Sequence, residues 1–280
     1  MTEPQQSALF AKYMELLHWH VARIDNVYVY FRRFSVFGGI IKIHRPARLP
    51  STEQLIPIIK EYKLTTLVIE PTEKQDQKEL NIWCRRMVKH IRINSSPYLP
   101  TKTTRIDITR DEDTIFKSFS EAKRRAVRRA TKLGVTVNAS DDIGKLIGIK
   151  NKSAGFLGFI TTTGIREMWP LFAPKHASIV LAYDKNQKIV GGVLLLHWED
   201  ISYYWIAGAT KYGKKLFAPT LLVWEAIKES KKFKSKWFDF VGVWDERLPQ
   251  EHTEWKGFTK FKEGFDGTLV YYPLIYRIVK

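Results

Sequence analysis

Two kinds of charged residue in this 280-residue chain have the placement to do chemistry: carboxylates set in or just after apolar runs, and clusters of cations. Asp239 interrupts Trp237-Phe238-Asp239-Phe240-Val241-Gly242-Val243. Burying an aspartate costs free energy unless it is paired, so Asp239 either orients an amine or, the favoured reading, hydrogen-bonds loop amides. Asp245 and Glu246 follow that run, where ligand-binding groups gather in α/β folds, and could attract an amine. Lys214 and Lys215, after the stretch Gly208 to Gly213, are candidates for phosphate contact. Lys262 lies in a closing basic-aromatic block, Gly257 to Gly267, beside Phe261.

The largest cationic cluster is Glu121 to Lys132. Ala122, Ala126, Ala130 and Leu133 recur at helical spacing and predict a narrow apolar face. Lysine and arginine fill most of the remainder, and Gly134 stops the helix. A single-sign cluster repels itself, and guanidinium groups pair with phosphate bidentately. Arg125, Arg128 and Arg129 are therefore candidates for contacts to RNA or to a nucleotide-linked sugar, with a solvated surface helix as the alternative.

Composition narrows the partners. A formal net charge of +17 points to polyanions: RNA, phosphorylated substrates or an anionic membrane surface. The single cysteine, Cys84, excludes an internal disulfide framework and a cysteine-based zinc cluster, and it fits a reducing compartment. His18-Trp19-His20 lacks acidic or cysteine neighbours, so no metal is expected. No run approaches the ~18 apolar residues of a membrane span, and no signal-peptide core opens the chain. The expectation is a cytoplasmic protein, at most peripheral at the inner face of the membrane. No catalytic triad and no Walker A loop is present.

The elements that must position these groups follow from periodicity. Val27 to Val36 and Ile40 to Ile43 read as adjacent strands with a turn at Gly38-Gly39. Ser51, with Gln54 three residues on, opens a helix to about Lys63. Leu64–Ile69 is a strand, and Asp76–His90 a helix with Cys84 on its apolar face. Ser95 to Pro100 reads as a linker. Thr103–Ile108 is a strand, Asp111 opens a helix, and Val135–Asn138 is a strand. Helices are expected at Asp141–Ser153 and Gly164–Phe172, with Phe156–Thr163 as a loop or short extended stretch between them. Ser178–Tyr183 and Lys188–Trp198 form an antiparallel pair. After the strand at Tyr203–Ala207 comes a loop, Gly208 to Lys215, and Pro219 starts a helix burying Leu221, Leu222, Ala226 and Ile227.

Several of these stretches resemble the C-terminal part of the Fem-type peptidoglycan aminoacyltransferases (FemABX), a family with the GNAT fold. The likeness is carried by Gly208-Ala209, by Lys214-Lys215 with Pro219, and by Asp239-Phe240-Val241-Gly242. Phe261-Lys262 through Phe265 and Gly267, and the helix end Arg129-Ala130-Thr131-Lys132-Leu133-Gly134-Val135, complete it. Val241 and Asp266 depart from it, standing where the family commonly has glycine.

The resemblance implies an α/β (α+β), GNAT-like acyltransferase fold: a reduced GNAT-like domain over residues 1–100, a complete GNAT domain over 101–267, and a tail, 268–280, packing back on the first. It implies transfer of an amino acid from aminoacyl-tRNA, as co-substrate and without a further cofactor, to the stem-peptide amine of lipid II or UDP-MurNAc-pentapeptide. Lys262 would position substrate or stabilise the oxyanion and a terminal phosphate, with Asp239 as its catalytic companion and Phe261 beside it. Arg45 and Arg48, in the basic loop His44 to Pro50, match loosely the positions that contact phosphate. Two alternatives stay open. One is an acyl-CoA-dependent N-acyltransferase, although Gly208 to Gly213 matches poorly the pyrophosphate loop of such enzymes. The other is a non-catalytic relative that binds RNA or the envelope.

Overall fold

The computed structural model describes residues 3–34, 38–154 and 162–275; the expectations for Val36, for most of Phe156–Thr163 and for the last residues of the tail lie outside them. The chain divides into two compact units, one of Met1–Lys102, Asp245–Glu251 and Val270–Lys280, the other of Thr103–Trp244 and His252–Leu269.

The first unit opens with α1 (Ala8–Leu16), capped by the Ser7 hydroxyl, then β1 (His20–Ile24), β2 (Val27–Arg33) and β3 (Gly39–His44). α2 (Thr52–Glu61), β4 (Thr66–Glu70), α3 (Gln77–Met87) and the short β5 (Arg92–Ile93) follow. The five strands lie in sequence order, antiparallel from β1 to β3 and parallel from β3 to β5. Ser51 caps α2 by accepting the Gln54 N–H, as the spacing predicts. Leu55 and Ile59 of α2 and Leu80, Cys84 and Met87 of α3 close over Val29, Ile41, Ile43 and Leu67 of the sheet. Cys84 is a core residue whose thiol burial pushes up to about 12. The opening carries a strand that periodicity does not show: of β1 only Ile24 is buried, and His20 stacks on Phe31 of β2.

The second unit holds β6 (Lys102–Asp107), α4 (Glu112–Ser118), α5 (Glu121–Lys132), β7 (Thr136–Ser140), α6 (Ile143–Ala154), α7 (Ile165–Phe172), β8 (Ala177–Tyr183), β9 (Ile189–Trp198) and β10 (Ile201–Ala209). α8 (Lys211–Lys215), α9 (Ala218–Lys232), β11 (Trp237–Asp239), α10 (Lys256–Glu263) and β12 (Thr268–Tyr271), whose last two residues count with the first unit, follow. The sheet runs β12-β6-β11-β10-β9-β8-β7. Leu221, Leu222, Ala226 and Ile227 of α9 are buried in its core as expected.

α5 departs from its predicted face. Val127 and Ala130 are buried, whereas Ala122 is exposed and Leu133 is 40% exposed. The helix packs on α9, and the larger Val127 gives that contact more apolar area than an alanine row would. The closing basic-aromatic block also resolves into a helix, α10, and the stretch after Gly208 is not wholly a loop, since it contains α8. Among the described residues, no helix is long and apolar enough to cross a membrane.

Candidate functional site

β10 and β11 are parallel, and their pairing ends at Tyr203 opposite Asp239. β11 stops there, while β10 continues to Ala209 bonded only to β9 on its other side. The freed edge of β10, from Tyr204 onward, forms one wall of a cavity of about 720 Å³ within the second unit. Phe217 and the first turn of α9 form another wall, the turn Phe240–Gly242 a third, and Trp255, Phe258, Phe261 and Lys262 the fourth. α6 adds Lys150, because a glycine at position 208 lets the helix approach closely: a Cβ there would sit 2.9 Å from the Lys150 Cα.

The turn after β11 is built by Asp239. This carboxylate is 1% exposed and fully engaged. Its Oδ2 accepts from Arg105 Nε at 2.6 Å, and its Oδ1 accepts from Thr103 Oγ1 at 2.7 Å and from the Val241 N–H at 2.6 Å. Val241 takes φ +63° and Gly242 φ +146°, which turns the Phe240 and Gly242 carbonyls toward one point. Lys262 Nζ occupies that point, donating to Phe240 O at 2.9 Å and to Gly242 O at 2.5 Å, 4.6 Å from the Phe258 ring centroid. Burial pulls this ammonium down to about 8, against the opposing influence of Asp239. With two of its protons on carbonyls, the third is available to the cavity. Burial lowers Lys150 as well.

Of the residues singled out by sequence, Lys262, Phe261 and Lys214 line the cavity, and Asp239 fixes its turn. Lys215 is on exposed α8 but outside the lining. Arg129 lies with its guanidinium 4.9 Å from the ring centroid of Phe217, a wall residue. Arg128 stacks at 5.7 Å on Phe116, and Arg125 is exposed with Glu121 at 3.6 Å. Lys123, on the same helix, stands 3.8 Å over Phe261, and burial lowers it to about 8.

The remaining four belong to the first unit and are occupied there. Arg45 donates to Pro71 O at 2.7 Å and Pro100 O at 2.5 Å and stacks 3.5 Å over Tyr272. Arg48 is exposed and donates through Nε and Nη2 to Asp25 O. Asp245 is paired with Arg247 at 2.7 Å and Thr101 at 2.7 Å; burial works to raise its carboxyl, but these bonds hold it below the usual range. Glu246 pairs with Lys102 at 2.5 Å and accepts from Tyr271.

Sequence reading missed Lys150, Trp255 and Phe258. The aromatic spacing 255, 258, 261 was a helical signal; Lys150, one lysine among several on α6, offered none. In the stretch matched to a pyrophosphate loop, the Thr210 N–H goes to Val190 O, the Gly213 N–H to Thr210 Oγ1 and the Lys214 N–H to Thr210 O. A Cβ on Gly213 would meet Val190 O at 2.3 Å, so that glycine serves packing. The loop fits a pyrophosphate poorly. Among the described residues, no group of three His, Cys, Asp or Glu could hold a metal.

Comparison with known proteins bears on the same region. Residues 175–273, which carry β8 to β12 and most of the cavity wall, match the model of the FemAB family. No curated protein matches the chain. Among solved structures, FemX is similar over 96% of this chain and 90% of its own, with a TM-score of 0.73 and 14% identity. L-PGS from Bacillus licheniformis is similar over 99% and 93%, with a TM-score of 0.60 and 12% identity. A tandem GNAT protein from the clavulanic acid biosynthesis pathway is similar over 88% and 76%, with a TM-score of 0.55 and 8% identity. These likenesses establish a GNAT-like fold, and the strands that build most of the cavity wall are similar to the FemAB family.

Proposed function

We propose that the protein transfers an amino acid from aminoacyl-tRNA to the stem-peptide amine of a peptidoglycan precursor, lipid II or UDP-MurNAc-pentapeptide. The observation that carries this reading is the cavity itself. It presents an ammonium held by two carbonyls, and its described lining residues carry the hydroxyls of Thr220 and Tyr204 but no carboxylate, imidazole or thiol. Such a site suits direct attack on an already activated acyl group, with no covalent enzyme intermediate.

In that reaction the neutral amine attacks the ester carbonyl, and a C–N bond forms. The C–O bond to the terminal ribose then breaks, and the amine's proton ends on the released ribose hydroxyl. The third proton of Lys262 stabilises the oxyanion of the tetrahedral intermediate. Trp255 and Phe258 offer faces on which a terminal base stacks. Lys150 and Lys214 take its phosphate, and the arginines of α5 bind the acceptor arm. Asp239 acts as a positioning residue, through the turn that holds Lys262. The acceptor, when lipid-linked, brings the protein to the inner face of the membrane. The spent amides of the Thr210 loop favour tRNA over acyl-CoA as donor.

The test is transfer of radiolabelled amino acids from a charged tRNA pool to both precursors, with acetyl-CoA in parallel and Lys262→Ala beside the wild type. Label on a precursor from tRNA, lost in the variant, supports the reading. Label from acetyl-CoA alone replaces the donor, and no transfer from either makes the protein a binding relative.

A further inference from the structure

Val241 adopts a conformation its side chain opposes. Its φ of +63° lies in the left-handed region, which is unfavourable for an L-residue and least tolerated by β-branched side chains. The conformation is imposed from outside the residue: Asp239 Oδ1 holds the Val241 N–H at 2.6 Å, and Gly242 continues the turn at φ +146°. Glycine would take it without strain.

The isopropyl group is not part of the buried core. Val241 is half-buried and lies outside the apolar cluster that fills the unit. It stands in the cavity wall between Phe240 and Gly242, whose carbonyls hold Lys262 Nζ. A strained side chain that serves the wall of a cavity and not the core acts on what enters the cavity. We propose that Val241 is a size gate, its isopropyl group limiting the bulk of the acyl group that can lie beside the Lys262 ammonium. The inference rests on the cavity being the site of the donor's acyl group.

The test compares wild type and Val241→Gly, as full chains, on tRNAs charged with glycine, alanine, leucine or phenylalanine, reading kcat/KM for each. Removing the gate raises the ratio of bulky to small donors about tenfold or more, and relief of strain raises the melting temperature. A higher melting temperature with an unchanged ratio overturns the gate and leaves Val241 a tolerated strain. Should wild type transfer from no charged tRNA, the donor reading has failed, and the gate is read without it. Binding of benzene and naphthalene is then followed by the fluorescence of Trp205 and Trp255 in the cavity wall. Naphthalene binding about tenfold tighter in Val241→Gly, with benzene unchanged, upholds the gate; equal affinities in the two proteins overturn it.

Discussion

Arg45 and Lys262 are both cations held against pairs of backbone carbonyls, and they differ in what else surrounds them. Arg45 is 6% exposed, bonded to Pro71 O and Pro100 O and covered by the Tyr272 ring. Three further charge pairs lie in the first unit: His44 with Glu70, Lys102 with Glu246, Arg247 with Asp245. Lys262 has the same carbonyl cradle but faces a cavity of about 720 Å³ whose other charged lining residues are Lys150 and Lys214. A cation whose partners are all supplied by the fold is a structural part. One left beside open space among like charges is in place for a partner the fold does not supply.

The largest effect expected comes from the residue that builds the open cradle. Asp239→Ala removes the carboxylate that Arg105, Thr103 and the Val241 N–H share, in a site where Arg105 and Asp239 are nearly inaccessible. Removing one member of such a pair costs about 3–5 kcal/mol, read as a lower midpoint in urea. Transfer should fall as well, because the Val241 N–H loses its acceptor and the two carbonyls lose their convergence. Stability loss with full activity per folded molecule would show that the turn does not depend on Asp239.

The comparison itself is tested by truncating the two cations. Lys262→Ala should lower transfer about 10²–10³-fold, the range for loss of one oxyanion donor, with little change in melting temperature. Arg45→Ala takes the donor from one buried and one partly buried carbonyl and should cost about 2–4 kcal/mol, with the activity of the folded fraction retained. If the two variants trade phenotypes, the distinction between closed and open cradle is wrong.

Much of the scaffold for these cations was legible because it is locally encoded. Ser51 and Gln54, the Leu221–Ile227 stripe, and the turn in which Asp184 Oδ1 accepts the Asn186 and Lys188 N–H groups all act within a few residues. The cradle was legible only in part. Sequence shows that Asp239 needs a partner, but Thr103 and Arg105 reach it from more than a hundred residues away. Lys150 enters through a close helix approach, and α10 was obscured by Gly257 and Gly264 at either end of an aromatic, lysine-rich block. The opening of the sheet beyond Tyr203 depends on where β11 stops, which no periodicity reports.

A smaller effect separates Lys262 from its neighbours by pH. Burial lowers Lys262 to about 8. An ammonium needed for transfer is then lost as pH rises through that value, and activity should decline on the alkaline side. Lys262→Arg, whose guanidinium does not titrate there, should remove that limb whatever its absolute rate. Lys123, over Phe261, also titrates near 8; Lys123→Met should leave the limb in place. The linkage to stability runs the other way. With the folded value below the ordinary 10.5, the unfolded chain binds more protons between the two, so Lys262 makes the fold more stable as pH rises across that interval.

The smallest effect concerns Asp266, another non-glycine residue in the left-handed region. Asp266 has φ +58°, as Val241 has +63°, but it is exposed and outside the cavity lining. Aspartate tolerates this region better than a β-branched residue does, and glycine gives back some of the gain as unfolded-state entropy. Asp266→Gly should therefore stabilise the chain by only about 0.5 kcal/mol, seen as a small rise in melting temperature, with no change in which donors are used. The same substitution at Val241 should raise stability further and alter donor choice. Left-handed strain alone predicts two changes differing only in size; a side chain kept for the cavity predicts that selectivity moves at position 241 and not at 266.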